Sequence, residues 1–172
     1  MRTSLLILPV SFAMLSGCVV TTYPGPNDPK WTNVQHVAGA NHVIRAQSDQ
    51  NLCLDVKGDK AAANQEVEVF SCNFNANQRW NFVDAPNGAS NIQGLGGLCL
   101  DVQGGSTADG ARVNEFACGN DKPNQTFRYH QNGHIREVQS NKCLTVNPIA
   151  SASQVFLQAC DPLNQGQYWV IQ

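Results

Sequence analysis

The stretch NLCLDVKGDKAAANQEVEVFSCNFNANQRW, residues 51–80, decides the fold, because its landmarks return twice further along the chain. It opens with Cys53-Leu54, contains Cys72, and closes on a glutamine, any residue and an aromatic, here Gln78-Arg79-Trp80. The later copies open at Cys99-Leu100 and Cys143-Leu144, contain Cys118 and Cys160, and close on Gln125-Thr126-Phe127 and Gln167-Tyr168-Trp169. The opening cysteines, at positions 53, 99 and 143, stand 46 and then 44 residues apart. This period is typical of repeated supersecondary units.

The overall composition is that of one soluble globular domain, with 172 residues and no polar low-complexity tract. Asp and Glu total 13 against 11 Lys and Arg, which gives a formal net charge of −2. A mildly acidic chain offers no basic surface for phosphate backbones. We therefore expect no nucleic-acid partner.

The N-terminal residues 1–17 predict a signal peptide, because Arg2 precedes an apolar run that ends at Leu15. The run is shorter than the roughly 18 apolar residues of a membrane-spanning helix. The sequence LSGC at 15–18 resembles the lipobox of bacterial lipoproteins, which implies a lipid anchor on Cys18, with plain secretion as the alternative. Residues 18–30 then form the lipidated cysteine and a Pro/Gly-rich tether. Val19 is not the aspartate of the enterobacterial inner-membrane retention pattern, so the expected location is the outer membrane or cell surface.

The other six cysteines predict a disulfide framework, since exported chains meet oxidising conditions. Six cysteines allow 15 pairings. The repeat favours the one in which each copy closes its own loop: Cys53–Cys72, Cys99–Cys118 and Cys143–Cys160, with spacings of 19, 19 and 17 residues. A zinc site is disfavoured, because the chain contains no C-x-x-C pair.

Short alternating runs bounded by turn residues predict an all-β chain, with no sustained helical periodicity. Glu66 to Phe70 alternates, Asn87-Gly88 and Asn132-Gly133 lie where hairpin turns are expected, and residues 60–63, KAAA, are too few for a stable helix. Three copies of about four short strands, about 12 in all, must share one core. A three-fold closed barrel capped by hairpins satisfies this need. Its expected core residues are Trp80, Phe127, Trp169, Leu54, Leu100 and Leu144.

These repeated motifs resemble those of the ricin-type β-trefoil lectin domain over residues 31–172, with repeats at about 40–86, 87–130 and 131–172. The resemblance implies the β-trefoil fold and one shallow sugar site per repeat, most often for galactose or its N-acetylated form. It implies a first sugar site of Asp55, Glu68, Phe70, Asn77 and Gln78, and a second of Asp101, Asn114, Phe116, Asn124 and Gln125. The third copy departs from the pattern at Thr145, Phe156, Gln158 and Gly166, so we expect no site there.

The chemistry of these residue types suits a sugar. An ionised carboxylate accepts hydrogen bonds from neighbouring hydroxyls, an amide can donate and accept beside it, and an aromatic covers the apolar face. Gln78 and Gln125 are expected to orient the aspartates. Other interpretations stay open: the phenylalanines as core residues, and the aspartates as turn caps. Glu68 places a second carboxylate near Asp55, and like charges repel, so we expect the second site to be the stronger.

We therefore expect a non-catalytic lectin without cofactor or metal. The sequence has no G-x-S-x-G, H-E-x-x-H or phosphate-loop motif. Asp55 with Glu66 or Glu68 is a poor glycosidase pair, because a shallow wet site does little to raise a carboxyl pKa. His130 and His134 are expected to be solvated beside a turn. Two further alternatives are a glycan-binding targeting subunit that holds a toxin or enzyme partner chain, and a structural surface lipoprotein with inactive sugar sites.

Overall fold

The computed structural model describes residues 34–119 and 121–172, so the predicted signal peptide, Cys18 and the tether lie outside the described residues. In these ranges the chain forms β-strands, short turns and 3-10 segments, without an α-helix. No helix within the described ranges is long and apolar enough to cross a membrane. The strands are β1 (Gly39–His42), β2 (Ile44–Ala46), β3 (Asp49–Val56), β4 (Gln65–Ser71), β5 (Trp80–Ala85), β6 (Ala89–Gln93), β7 (Cys99–Val102), β8 (Ala111–Phe116), β9 (Thr126–Tyr129), β10 (Ile135–Glu137), β11 (Cys143–Val146), β12 (Ser153–Gln158) and β13 (Trp169–Ile171).

The first strand of the first copy is interrupted, which is why thirteen strands are found where about twelve are predicted. Strand β1 pairs with β5, while β2 pairs with β13 and β3. Between β1 and β2, the backbone of Val43 exchanges two hydrogen bonds with Gln172, at 2.8 and 3.0 Å. Each copy therefore supplies four strand positions, the first of which is split in the first copy.

The three copies close on one another in a barrel capped by hairpins, as predicted. Adjacent copies join through β5–β6, β9–β10 and β13–β2. Within a copy, the first and last strands meet through β1–β5, β6–β9 and the bridge between His134 and Tyr168. The hairpins β3–β4, β7–β8 and β11–β12 form the cap, where β4, β8 and β12 each pair with the other two. This closure leaves few exposed strand edges.

The core is the one expected from the repeat. All six predicted core side chains are buried: Trp80, Phe127, Trp169, Leu54, Leu100 and Leu144. The indole Nε1 of Trp80 donates to the Leu54 carbonyl at 3.0 Å, and that of Trp169 donates to the Leu144 carbonyl at 2.9 Å. In the first and third copies, the tryptophan that closes the copy therefore donates to the leucine that opens it, which satisfies a buried donor in the core.

The disulfide pairing is also confirmed, with bonds between Cys53 and Cys72, Cys99 and Cys118, and Cys143 and Cys160. Residues 60–63 lie in a loop, as expected. Asn87 and Gly88 both adopt positive φ, at 60° and 68°. In the second Asn-Gly pair only Gly133 does so, at 94°.

The expectation for the two histidines is wrong. His130 and His134 are only 4% and 0% exposed, because His134 immediately precedes β10 and its ring lies 4.3 Å from that of Tyr168. Burial, with further contributions from His130 and Arg136, lowers the pKa of His134 to about 4. The turn between the histidines is present, but the strand pairing that follows it takes both rings out of solvent.

Candidate functional site

Two aspartates occupy matching places in the first two hairpins. Asp55 in β3 lies directly across from Glu68 in β4, and Asp101 in β7 lies across from Asn114 in β8. Both aspartates are almost fully buried, yet each lines a surface cavity. The strand register therefore places one carboxylate at the base of a cavity in each of these two copies.

The side chains that follow each hairpin fix one oxygen of the aspartate. Asn77 and Gln78 donate to Asp55 Oδ2 from 2.9 and 2.8 Å, on a 3-10 segment, Ala76–Gln78. In the second copy, Asn124 and Gln125 donate to Asp101 Oδ2 from 3.0 and 2.8 Å. Within the described residues, Oδ1 of neither aspartate accepts a hydrogen bond. Each site therefore has one anchored carboxylate oxygen and one that is left to accept from a ligand.

The glutamines are structural supports rather than contact surfaces. Gln78 and Gln125 are completely buried. Gln78 also donates to the Ser71 carbonyl at 3.1 Å, and its oxygen accepts from the backbone amides of Asn73 and Phe74. Gln125 makes the matching bonds to Ala117 and Gly119. Each glutamine therefore ties the aspartate to the end of its own hairpin, in agreement with the orienting role expected from the sequence.

The asparagines use both of their N–H donors on the protein. Besides the aspartate, Asn77 donates to the Val56 carbonyl at 3.3 Å and Asn124 to the Val102 carbonyl at 3.1 Å. Their side-chain oxygens remain as acceptors, but the Asn77 Oδ1 atom is buried. Asn124 is the more exposed of the two side chains, which leaves its oxygen better placed to meet a ligand hydroxyl.

The two phenylalanines are not core residues. Phe70 is 40% exposed and Phe116 is half-buried, and each lines the cavity of its own copy. The Nζ atom of Lys122 lies 4.7 Å from the centroid of the Phe116 ring, within the range of a cation–π contact. Both sites therefore present an aromatic beside the carboxylate, and only the second presents an ammonium group with it.

The cavities differ in size and charge. The first has a volume of about 310 Å³ and is lined by Asp55, Gly58, Asp59, Glu68, Phe70, Asn73, Asn75 and Asn77. The second has a volume of about 460 Å³ and is lined by Asn64, Asp101, Gly104, Gly105, Phe116, Lys122 and Asn124. The sequence analysis missed Asn64 and Lys122. Asn64 belongs to the first copy and reaches the second site across the repeat boundary, whereas Lys122 lies in the second copy itself but outside the family's sugar-site pattern. Asn114 is buried and does not line the cavity, but its Nδ2 donates to Asn64 Oδ1 at 3.2 Å.

The charges around the aspartates separate the two sites further. Burial raises the pKa of Asp55 to about 6, its bond from Gln78 opposes this shift, and Glu68 adds to it. Burial also raises the pKa of Asp101, and there the hydrogen bond from Gln125 and the charge of Lys122 both oppose the rise. Lys57 lies 2.8 Å from Glu66 and 3.5 Å from Glu68, so it neutralises Glu68 only in part. The predicted repulsion between Glu68 and Asp55 is therefore present.

The third copy keeps the supporting glutamine but lacks the aspartate that accepts its hydrogen bond in the other two copies. Gln167 donates to the Thr145 hydroxyl at 3.1 Å, and that hydroxyl donates to the Cys143 carbonyl at 2.8 Å in a fully buried position. A Cβ atom at Gly166 would overlap the Val146 carbonyl oxygen, so the backbone there leaves no room for an asparagine. Phe156 and Gln158 are both half-buried, on β12. Without a carboxylate, this copy offers no acceptor like those of the other two.

Metal chemistry has no candidate centre, since the described residues contain no group of three or more His, Cys, Asp or Glu side chains that could hold an ion. The expectation that this site does little to raise a carboxyl pKa is wrong for Asp55, because burial raises its pKa to about 6. Asp55 and Glu68 are direct cross-strand neighbours that line the same cavity.

Comparisons with solved structures agree on the fold. The designed three-fold symmetric protein ThreeFoil is 24% identical, with a TM-score of 0.70 over 76% of this chain and 96% of that chain. A Polyporus squamosus lectin bound to a human-type influenza-binding epitope, Neu5Aca2-6Galb1-4GlcNAc, is 16% identical, with a TM-score of 0.69 over 80% and 50%. The agglutinin from Abrus precatorius is 20% identical, with a TM-score of 0.65 over 80% and 49%. This chain spans about half the length of the last two proteins.

A search of curated protein sequences finds no significant match. The family model described as the ricin-type β-trefoil lectin domain matches residues 40–169, which contain all three repeats, the three disulfides and both aspartate sites. The chain therefore belongs to the ricin-type β-trefoil lectin domain family.

Proposed function

We propose that this protein is a non-catalytic lectin that binds galactose-type sugars at the Asp55 and Asp101 sites, with the Asp101 site the stronger. One observation carries the proposal. In two of the three copies, a pair of side-chain amides anchors one carboxylate oxygen and leaves the other in a cavity beside a phenylalanine. Two vicinal sugar hydroxyls can donate to such an oxygen and to a neighbouring amide oxygen, while the ring covers the apolar face of the sugar.

The ranking of the sites follows from their charges. Glu68 faces Asp55 and favours its protonation, which would remove the charged acceptor. At the second site, Asn114 takes the place of Glu68 and Lys122 stabilises the ionised form of Asp101. The second cavity is also the larger.

Single-site affinity is expected to be weak, near millimolar or about −4 kcal/mol, because the cavities are shallow and open. Useful binding then depends on several sites engaging one glycan surface at once. The lipid anchor proposed at Cys18 would supply this multivalency, since it would hold many molecules of the protein side by side on the outer membrane or cell surface.

A glycan array with the fluorescently labelled protein tests the proposal. The wild-type protein should bind galactose-terminated glycans, and a double variant, Asp55→Ala with Asp101→Ala, should bind none. Asp84→Ala is the matched control, because Asp84 is an exposed aspartate outside both cavities. Equal binding by the wild type and a folded double variant would refute the site assignment. Release of product from a chromogenic galactoside would refute the non-catalytic part.

A further inference from the structure

The two cavities differ in net charge, and we infer that the second selects saccharides bearing an anionic group, a carboxylate or a sulfate ester, whereas the first rejects them. This inference rests on the proposed lectin function. Among the described residues, the first cavity is lined by three carboxylates and no cation, while the second is lined by one carboxylate and one ammonium group. A ligand with a negative substituent therefore meets only like charges in the first copy, whereas in the second copy it also finds a cation.

Lys122 supplies the cation in a defined position. Its Nζ atom donates to the Ala117 carbonyl at 3.0 Å and stands over the Phe116 ring, so the ammonium group is held at the wall of the cavity. An ammonium group has three N–H donors, and within the described residues only one of them is used. Lys122 and Asp101 line the same cavity, and the charge of Lys122 opposes the rise in the pKa of Asp101. A ligand that donates hydroxyls to Asp101 would therefore have an anionic substituent within reach of Lys122.

Asn64 adds a second donor to the lining of the second cavity, and two glycines in that lining leave space for the substituent. Asn64 adopts positive φ, at 65°, and its backbone amide donates to the Glu115 carbonyl at 2.8 Å, which fixes the residue at the edge of the second cavity. Its Oδ1 accepts from Asn114, so its Nδ2 is the group that can serve a ligand. Gly104 and Gly105 line the same cavity without side chains. The lining of the second cavity therefore has donors from two different copies, and the cavity has about 150 Å³ more room than the first (460 against 310 Å³).

The first cavity has the reverse arrangement. Asp55, Asp59 and Glu68 all line it, and the nearest lysine, Lys57, lies outside the lining and pairs with Glu66 and Glu68. An anionic substituent placed there would face like charges at close range, which is unfavourable. The third copy has Thr145 in place of the aspartate, and its backbone leaves no room for a side chain at Gly166.

Calorimetric titration of the Asp55→Ala protein, which keeps only the second site, tests the inference with three probes: methyl galactoside, galactose 6-sulfate and galacturonic acid. At low salt, at least one anionic probe should bind roughly tenfold more tightly than the neutral one, as expected for a charge-assisted bond. The preference should shrink at high salt. The Lys122→Met variant should bring the ratio of the affinities close to one, whereas Arg112→Met, which removes an exposed charge of the same sign outside the cavity, should leave it unchanged.

Each outcome decides. Preference for the sulfate or for the uronate identifies which anion the site takes. Equal affinity for all three probes, or a preference that survives Lys122→Met, overturns the inference while the proposed lectin function stands. Failure of every probe to bind the wild-type protein would overturn the proposed function and the inference together.

Discussion

Glu115 is a carboxyl group inside the core, and its replacement should change how the stability of the protein depends on pH. The residue is 0% exposed, and neither of its carboxyl oxygens has a well-formed hydrogen bond within the described residues. It lies across from Leu100 in β7, at the position that Val69 and Leu157 occupy in the other two copies. A Cβ at Gly94 would overlap both Glu115 and the Trp80 ring, so the glycine makes room for the acid.

Burial raises the pKa of Glu115 from 4.5 to about 8, and the backbone amide of Leu95 opposes this shift only weakly. The folded protein therefore holds a proton that the unfolded chain releases near its ordinary pKa. The resulting stability is fully present below pH 4.5 and is lost as the pH rises to about 8. Since one unit corresponds to about 1.4 kcal/mol, the free energy of unfolding should fall by about 3 to 5 kcal/mol across this interval.

Urea denaturation of the wild type and of Glu115→Gln at pH 5, 7 and 9 measures the effect. The glutamine keeps the shape and cannot titrate, so the wild type should lose about 3 to 5 kcal/mol more than the variant between pH 5 and 9. Glu115→Leu, which introduces the leucine found at this position in the third copy, should likewise lack this part of the pH dependence of the free energy of unfolding. Glu66→Gln serves as the control at a partly exposed glutamate in β4 and should follow the wild type. Parallel pH profiles for the wild type and Glu115→Gln would refute the reasoning.

Three further predictions concern the sites and the framework. In the Asp101→Ala protein, galactose binding at the first site should weaken as the pH falls below about 6, because Asp55 then takes up a proton. Calorimetry at pH 7.5 and 5 measures this change, and equal affinities at the two pH values would contradict the prediction. Gln125→Ala should weaken galactose binding in the Asp55→Ala background and lower the free energy of unfolding by about 1 to 3 kcal/mol, because Asp101 and two backbone groups lose a buried partner. Unchanged affinity would show that Gln125 is not needed to position Asp101. Reduction should lower the melting temperature sharply, because each disulfide closes a loop worth on the order of 3 kcal/mol, and a melting curve indifferent to reductant would contradict this.

The repeat in the sequence, together with the family that it resembles, was enough to predict the fold, the disulfide pairing and the six core residues, because the residues that mark them recur at fixed places in each copy. Leu54 and Trp80 illustrate this point, since both lie in the stretch that defines the repeat and bond directly to each other. The aspartates and their amides were predictable for the same reason. The interruption at Val43 was not, because it depends on the backbone of Gln172 at the far end of the chain.

Contacts between copies were the part that the sequence could not supply. Asn64 lies in one copy and lines the cavity of the next, and no spacing within a repeat marks it. The burial of His134 was missed for a different reason: it depends on Tyr168, which belongs to the same copy but lies 34 positions later. Glu115 shares the strand face of Val113, so the alternation of β8 does place it toward the core. Only the closed barrel shows that a carboxyl group on this face is completely shielded from solvent.

The identity of the sites is tested most directly by calorimetric titration of galactose into the wild type, Asp55→Ala, Asp101→Ala and the double variant, each shown to be folded by its melting curve. We expect the wild type to bind at two weak sites, Asp101→Ala to lose the stronger and Asp55→Ala the weaker. The double variant should give no heat of binding. Galactose binding that persists unchanged in the folded double variant would contradict the account.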